Sequence, residues 1–297
     1  MSRPKTETAA PVAISAEGAR LKGYIYSPDG PPLRAIVIHP ATGVPQSYYT
    51  KFAQWLTANY GAAVLTYDYR DLGESAVGPM KHARADMADW GLKDQSAALD
   101  FLCSCYPTLP VWVVGHSLGG MFTACHESAD RVERVIAVAA GAAYFLRHPP
   151  HFLPLVLMFW LVLGPVTTRL FGYLPAKYSG IGADLPAGAF WQWRRWCLSR
   201  TFHRVDWGRA MPVPDLTRLK SPVTLIAISD DVLMPPASVR RLAQCYPAAT
   251  QIEYREIDPK SVGLSAIGHL RILSERCKAA WPLLMERNAD TSRLAAE

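Results

Sequence analysis

The residues best suited to chemistry stand together in Gly115-His116-Ser117-Leu118-Gly119. A buried strand pattern, Val111 to Gly115, leads into this stretch and a helical pattern follows it, so a serine occupies a strand-to-helix corner. Glycines at such a corner allow a tight strained turn that pushes the hydroxyl into the open, with the Leu118 amide facing the same space at a helix N-terminus. A phosphate loop would need a different spacing of glycine and lysine. A serine hydroxyl is a weak nucleophile at neutral pH and needs a histidine base that a carboxylate orients. Two later loops could supply them. Asp230 and Asp231 follow the strand pattern Pro222 to Ser229, and His269 lies in the loop and helix start after the strand pattern "QIEYREI".

The elements that must hold these groups alternate. Strand patterns at Leu21 to Pro28 (an edge or antiparallel strand), Arg34 to Pro40, the start of "AAVLTYDYRDLGES", Val111 to Gly115 and "RVIAVAA" are separated by helical spacing or polar loops, including a long helix expected from about Arg84 to Cys103. This is the pattern of a mostly parallel central sheet flanked by helices, an α/β fold. It stops between residues 145 and 215, where there are eight prolines and five of the nine tryptophans, and resumes at Pro222, ending in a helix expected near His269 to Met285. The expected organisation is a flexible N-terminus at 1–18, a core made of 19–144 and 216–297, and an inserted, mostly helical cap at 145–215.

The motifs "HPATG", "TYDYRDLGES", "GHSLGG", "SDDVLMPP" and "GHLR" resemble those of the α/β-hydrolase fold in the serine hydrolase superfamily, in particular bacterial hydrolases with a TYDYRGxGxS-like loop. The resemblance runs from Leu21 to the last helix. It implies Ser117 as nucleophile, Asp231 as acid and His269 as base, with Asp231 favoured over Asp230 because its spacing to Pro235 fits the family's D-x-x-x-P turn. Relatives place a His-Gly pair in the loop that supplies the second oxyanion donor. Here Pro40 has no N–H, which leaves the backbone of Ala41 as the expected donor beside Leu118, with Thr42 next. Asp71 stands where relatives carry a glycine. Tyr48 and Tyr49 read as core aromatics, and His39, His116, His148, His151 and His203 as structural.

Composition narrows the setting. The 297 residues are half hydrophobic, which suits a folded chain. The six cysteines have neither metal nor disulfide-framework spacing, and no apolar leader precedes the first strand, so a cytoplasmic protein with reduced thiols is expected. No metal or cofactor is expected, and no basic arm suggests nucleic acid. The run Phe152 to Val166 is shorter than the roughly 20 residues of a span and is bracketed by prolines, so it reads as a buried or lid helix, with a membrane-surface contact as the alternative and no stable membrane span.

The function expected is hydrolysis of a carboxylic ester or thioester, a small-molecule acyl substrate, through an acyl-enzyme. Acyl transfer by the same residues and a non-catalytic binding protein are the alternatives. Eight basic residues of the cap, Arg147, Arg169, Lys177, Arg194, Arg195, Arg200, Arg204 and Arg209, face three acidic ones, Asp184, Asp206 and Asp215. Overhanging Ser117, they would suit a substrate with an acyl chain and an anionic end; the plainer alternative is that these arginines are solvated or cover apolar surface with their stems.

Overall fold

The computed structural model describes residues 8–179 and 182–286. Its centre is an eight-stranded sheet built from β1 (Thr8–Ala16), β2 (Ala19–Ser27), β3 (Arg34–His39), β4 (Ala62–Tyr67), β5 (Val111–His116), β6 (Val132–Val138), β9 (Val223–Ile228) and β10 (Ile252–Ile257). The spatial order is β1-β2-β4-β3-β5-β6-β9-β10, parallel from β4 to β10, with β2 antiparallel to both β1 and β4. Two short strands of the insertion, β7 (Tyr173–Leu174) and β8 (Leu185–Pro186), pair separately.

Strands β4, β5 and β9 are buried along their whole length, which explains their unbroken apolar runs: a parallel sheet has no wet face. Alternate residues serve opposite layers. Val37, Leu65, Val113 and Val135 pack on the side of α2 (Gln95–Cys105), whereas Ile36, Val64, Val114 and Ile136 pack against α1 (Thr50–Tyr60) and α8 (Trp281–Met285). Each such aliphatic side chain contributes about 1.5–3 kcal/mol by leaving water. Helix α1 buries Phe52, Ala53 and Leu56 and stops at Gly61, whose φ of 56° is the left-handed conformation that closes a helix.

Several expectations change. The strand at Ala19–Ser27 is antiparallel, one of its two expected placements, and lies inside the sheet because β1 pairs with it throughout; the segment expected to be flexible to residue 18 is therefore ordered sheet from Thr8, and residues 1–7 lie outside the described residues. The sheet's margins are β1, which contains Pro11, and β10, where Arg255 binds both carboxylate oxygens of Glu253 at 2.6 and 2.9 Å. The helix expected from Arg84 begins near Met87 and contains a π-turn at Asp89–Asp94 before α2. No α-helix follows the serine corner. Three 3₁₀ turns cover Ser117–Gly120, Thr123–Cys125 and Glu127–Arg131, a consequence of adjacent glycines that favour the tight turn over helix propagation. The final helix is likewise broken into α7 (Gly268–Arg271), a 3₁₀ stretch Glu275–Ala280 and α8.

Between β6 and β9 lie α3 (Leu153–Met158), a π-turn at Phe159–Leu163, α4 (Gly164–Phe171) and α5 (Ala187–Leu198), and the short α6 (Pro236–Arg240) follows β9. The first three join into one helix of 19 residues, Leu153–Phe171, long and apolar enough by length and composition to cross a membrane. It extends past Pro165, which was expected to bracket it. Pro165 lies in the first turn of α4, next to the wide turn.

Candidate active site

Ser117 holds a φ of 52°, a conformation that costs a residue with a side chain roughly 1–2 kcal/mol. The glycines around it have one cause each. A Cβ at Gly115 would stand 2.3 Å from the Gly119 carbonyl oxygen, and one at Gly119 would stand 2.0 Å from that of His39. The backbone of β3, the end of β5 and the turn thus touch directly, which leaves the serine side chain as the group that projects.

His269, in α7, has Nε2 2.9 Å from Ser117 Oγ and Nδ1 2.7 Å from Asp231 Oδ2. Asp231 is fully buried as a side chain, and its other oxygen, Oδ1, accepts the N–H groups of Leu233 and Met234 at 2.9 and 2.8 Å. Three contacts therefore fix both carboxylate oxygens and direct one at the imidazole. The neighbouring Asp230 points elsewhere. Its two oxygens accept the N–H groups of Ile267 and Gly268 at 2.9 Å each, so it clamps the backbone that carries His269.

The loop after β3 departs from expectation at Ala41. The Ala41 N–H is donated to the Tyr49 hydroxyl at 2.8 Å, and that hydroxyl lies 3.0 Å from His116 Nδ1. His116 Nε2 in turn lies 3.0 Å from the His269 carbonyl oxygen. One set of directions satisfies every atom: Ala41 N–H to Tyr49, Tyr49 O–H to Nδ1, and Nε2–H to His269. Burial, followed by the positive charge His269 can carry, pushes the His116 pKa down to about 3, so the ring stays neutral in this chain of bonds. The same loop is braced by Tyr69, which donates to the Pro40 carbonyl at 2.9 Å, and by Asp68, which accepts the Gln46 N–H at 2.7 Å. This is the structural use of "TYDYRDLGES". Asp71 accepts the Arg84 and Ala85 amides at 2.9 and 3.0 Å and lies away from the serine.

Ser117 opens into a cavity of about 340 Å³ whose wall is almost wholly apolar, with Met121, Phe159, Trp160, Trp193, Trp196 and Leu233 among its members. Residues between β6 and β9, from Ala143 to Phe202, make up much of its wall. Ala183 N–H binds the Gly43 carbonyl at 2.7 Å, tying this segment to the loop after β3. Among the described residues no arginine or lysine lines the cavity, so its wall is not made by the cap cations. Arg195 is paired with Asp206 at 2.7 Å and Lys177 with Asp184 at 3.4 Å.

Residues 35–276 match the model of the alpha/beta hydrolase family. The chain belongs to that family. Among solved structures, the alpha/beta hydrolase resembles DcsB in complex with a substrate analogue (TM-score 0.59, 15% identity, 93% of this chain and 97% of that one). It also resembles an esterase from Pyrococcus furiosus (TM-score 0.53, 16% identity, 92% and 89%) and a serine hydrolase homologue from Coxiella burnetii (TM-score 0.53, 16% identity, 95% and 98%). At these identities the likeness is one of fold. No curated protein matches the sequence.

In this alpha/beta hydrolase the structure brings Ser117, Asp231 and His269 into one hydrogen-bonded line, with Leu118 beside them, and Ala41 at the cavity wall but with its N–H engaged. Tyr49 is core and His116 structural, as the sequence suggests, but the hydrogen-bond partners of both, and the clamp that Asp230 makes, were not foreseen. The signals available were a buried aromatic with a polar tip, a histidine next to the serine, and a second aspartate in the acid loop. His148 also lies on the cavity wall, with Nδ1 2.9 Å from the Val232 carbonyl oxygen, to which it donates.

Proposed function

We propose that this alpha/beta hydrolase is a serine hydrolase that cleaves a carboxylic ester or thioester of an apolar acyl group. The observation that carries the reading is the unbroken line Asp231–His269–Ser117, at 2.7 and 2.9 Å, opening into a greasy cavity. Ser117 Oγ attacks the carbonyl carbon while its proton passes to His269 Nε2. The imidazolium is stabilised by Asp231, which accepts Nδ1–H. The tetrahedral oxyanion takes the Leu118 N–H and, since that of Ala41 is committed to Tyr49, the Thr42 N–H. Collapse releases the alcohol or thiol, protonated by His269. Water, losing a proton to the same ring, then attacks the acyl-enzyme and frees the acid.

Fluorophosphonate labelling tests the nucleophile: stoichiometric modification of Ser117 is expected, and none in Ser117→Ala. Ser117→Ala and His269→Ala should each abolish nearly all ester turnover, and the double variant should be scarcely worse, because the two act as a unit. Turnover by clean Ser117→Ala at the parent rate would overturn the assignment. Within a panel of straight-chain esters, kcat/KM should rise about fourfold per methylene until the cavity is filled, the equivalent of about 0.8 kcal/mol per buried CH₂.

A further inference from the structure

The cap helix Leu153–Phe171 presents two different faces. Val156, Trp160, Gly164 and Thr168 form a buried stripe; Gly164 lies so close to Phe190 of α5 that a Cβ would stand 2.5 Å from its ring, and the Trp160 carbonyl accepts Arg194 Nε–H at 2.6 Å. This packing fixes the helix to the protein, so it cannot leave to span a bilayer without exposing that stripe. The opposite face is apolar and open to solvent. Met158, Leu161, Val162, Val166, Leu170 and Phe171 are all exposed, Leu170 by 75%. Only 28% of the helix's most apolar window is buried, which is far from the condition of a core helix.

The charge around this face has one sign. There is no Asp or Glu between Glu133 and Asp184, while Arg169 lies on the helix itself, its guanidinium 4.8 Å from the Trp191 ring centre, and the exposed Lys81 lies against Gly172 at the helix end. Neither Arg169 nor Lys81 has a carboxylate partner among the described residues, nor do Arg147, Arg194, Arg200 and Arg204. An apolar stripe flanked by unpaired cations matches the chemistry of an interfacial helix, with side chains among acyl chains and cations at anionic headgroups. A second copy of this chain fits less well, since a twofold contact would set the same cations against themselves.

We propose that the exposed face of Leu153–Phe171 docks on the surface of an anionic lipid bilayer, lying flat in the headgroup region. The inner face of the same helix, through Val156, Phe159 and Trp160, lines the cavity above Ser117, so docking places the lipid surface one helix thickness from that cavity.

Vesicle flotation of the full chain tests this with phosphatidylcholine vesicles that contain or lack one quarter phosphatidylglycerol. Binding to the anionic vesicles is expected to be at least tenfold tighter than to the neutral ones and to weaken as salt is raised. Val162→Ser/Val166→Ser/Leu170→Ser should weaken it at least tenfold, yet hydrolyse a soluble short-chain ester within twofold of the parent, which shows that the variant is folded. Ser117→Ala should bind vesicles as the parent does, so that loss of docking and loss of the hydrolase reading are told apart. The proposal is overturned if the parent does not float with anionic vesicles, or if the triple variant floats equally well. It is also overturned if light scattering finds a dimer that the triple variant dissolves while neither protein binds lipid, which would assign the face to a second copy.

Discussion

Two adjacent aspartates divide the work of holding one histidine, and substitution separates them. Asp231→Asn keeps the shape but changes the partner of His269 Nδ1, favouring the wrong tautomer; kcat should fall by about 10³–10⁴ with little change in thermal midpoint. Asp230→Ala instead leaves the Ile267 and Gly268 amides without their acceptor, and should cost about 1–3 kcal/mol in urea denaturation with a much smaller fall in kcat. Tyr49→Phe removes both the acceptor of the Ala41 N–H and the donor to His116 Nδ1; a loss of about 1–3 kcal/mol by the same measurement is expected. The placements of Ser117 at a sharp turn and His269 after the last strand are legible in sequence from local turn chemistry and the family resemblance. The partners of Tyr49 and His116 are not, because a hydroxyl buried at the tip of a core aromatic acquires its partners only when β3, α1 and β5 are brought together.

At the scale of the element, the serine corner trades stability for exposure of one hydroxyl. Ser117→Gly relieves the left-handed strain but gives the unfolded chain more freedom, worth about 0.5–1 kcal/mol, so the inactive variant should be more stable than the parent by up to about 1 kcal/mol. Gly119→Ala should fail in the opposite sense, with a loss above about 3 kcal/mol or no soluble protein, because its Cβ meets backbone that cannot move aside; Gly30→Ala, with nothing within 4 Å, is the neutral control in the same melts. The α/β alternation is readable since β3 to β6 and β9 are apolar runs of strand length between helical patterns. Strand β1 is not, because its sequence is rich in alanine and contains Pro11, and it takes its conformation from pairing with β2. The missing helix after the serine has a similar origin: local spacing permits one, but the close approach of Gly119 to His39 selects a tight turn.

For the whole molecule, buried neutral histidines set the response to acid. Burial drives His39 well below its ordinary value of 6.5, His116 to about 3, and His126 and His203 to about 4 each. The unfolded chain therefore takes up protons as pH falls below about 6.5 while the folded chain does not. The stabilisation is complete above that pH and is lost as pH drops toward 4, by up to about 1.4 kcal/mol per pH unit for each histidine. Urea midpoints at pH 7.5, 6 and 5 should fall in that order, and a flat profile would contradict the assignment. The sheet's two margins bear on a different hazard. Molecules gathered on a surface meet one another at high local concentration, where an open strand recruits its neighbour into a continuous ladder. Here Pro11 interrupts the row of donors on one margin and the Arg255–Glu253 pair puts charge on the other. Neither margin therefore offers an open ladder to a neighbour crowded beside it, and Pro11→Val should turn such crowding into fibrous precipitation that light scattering detects.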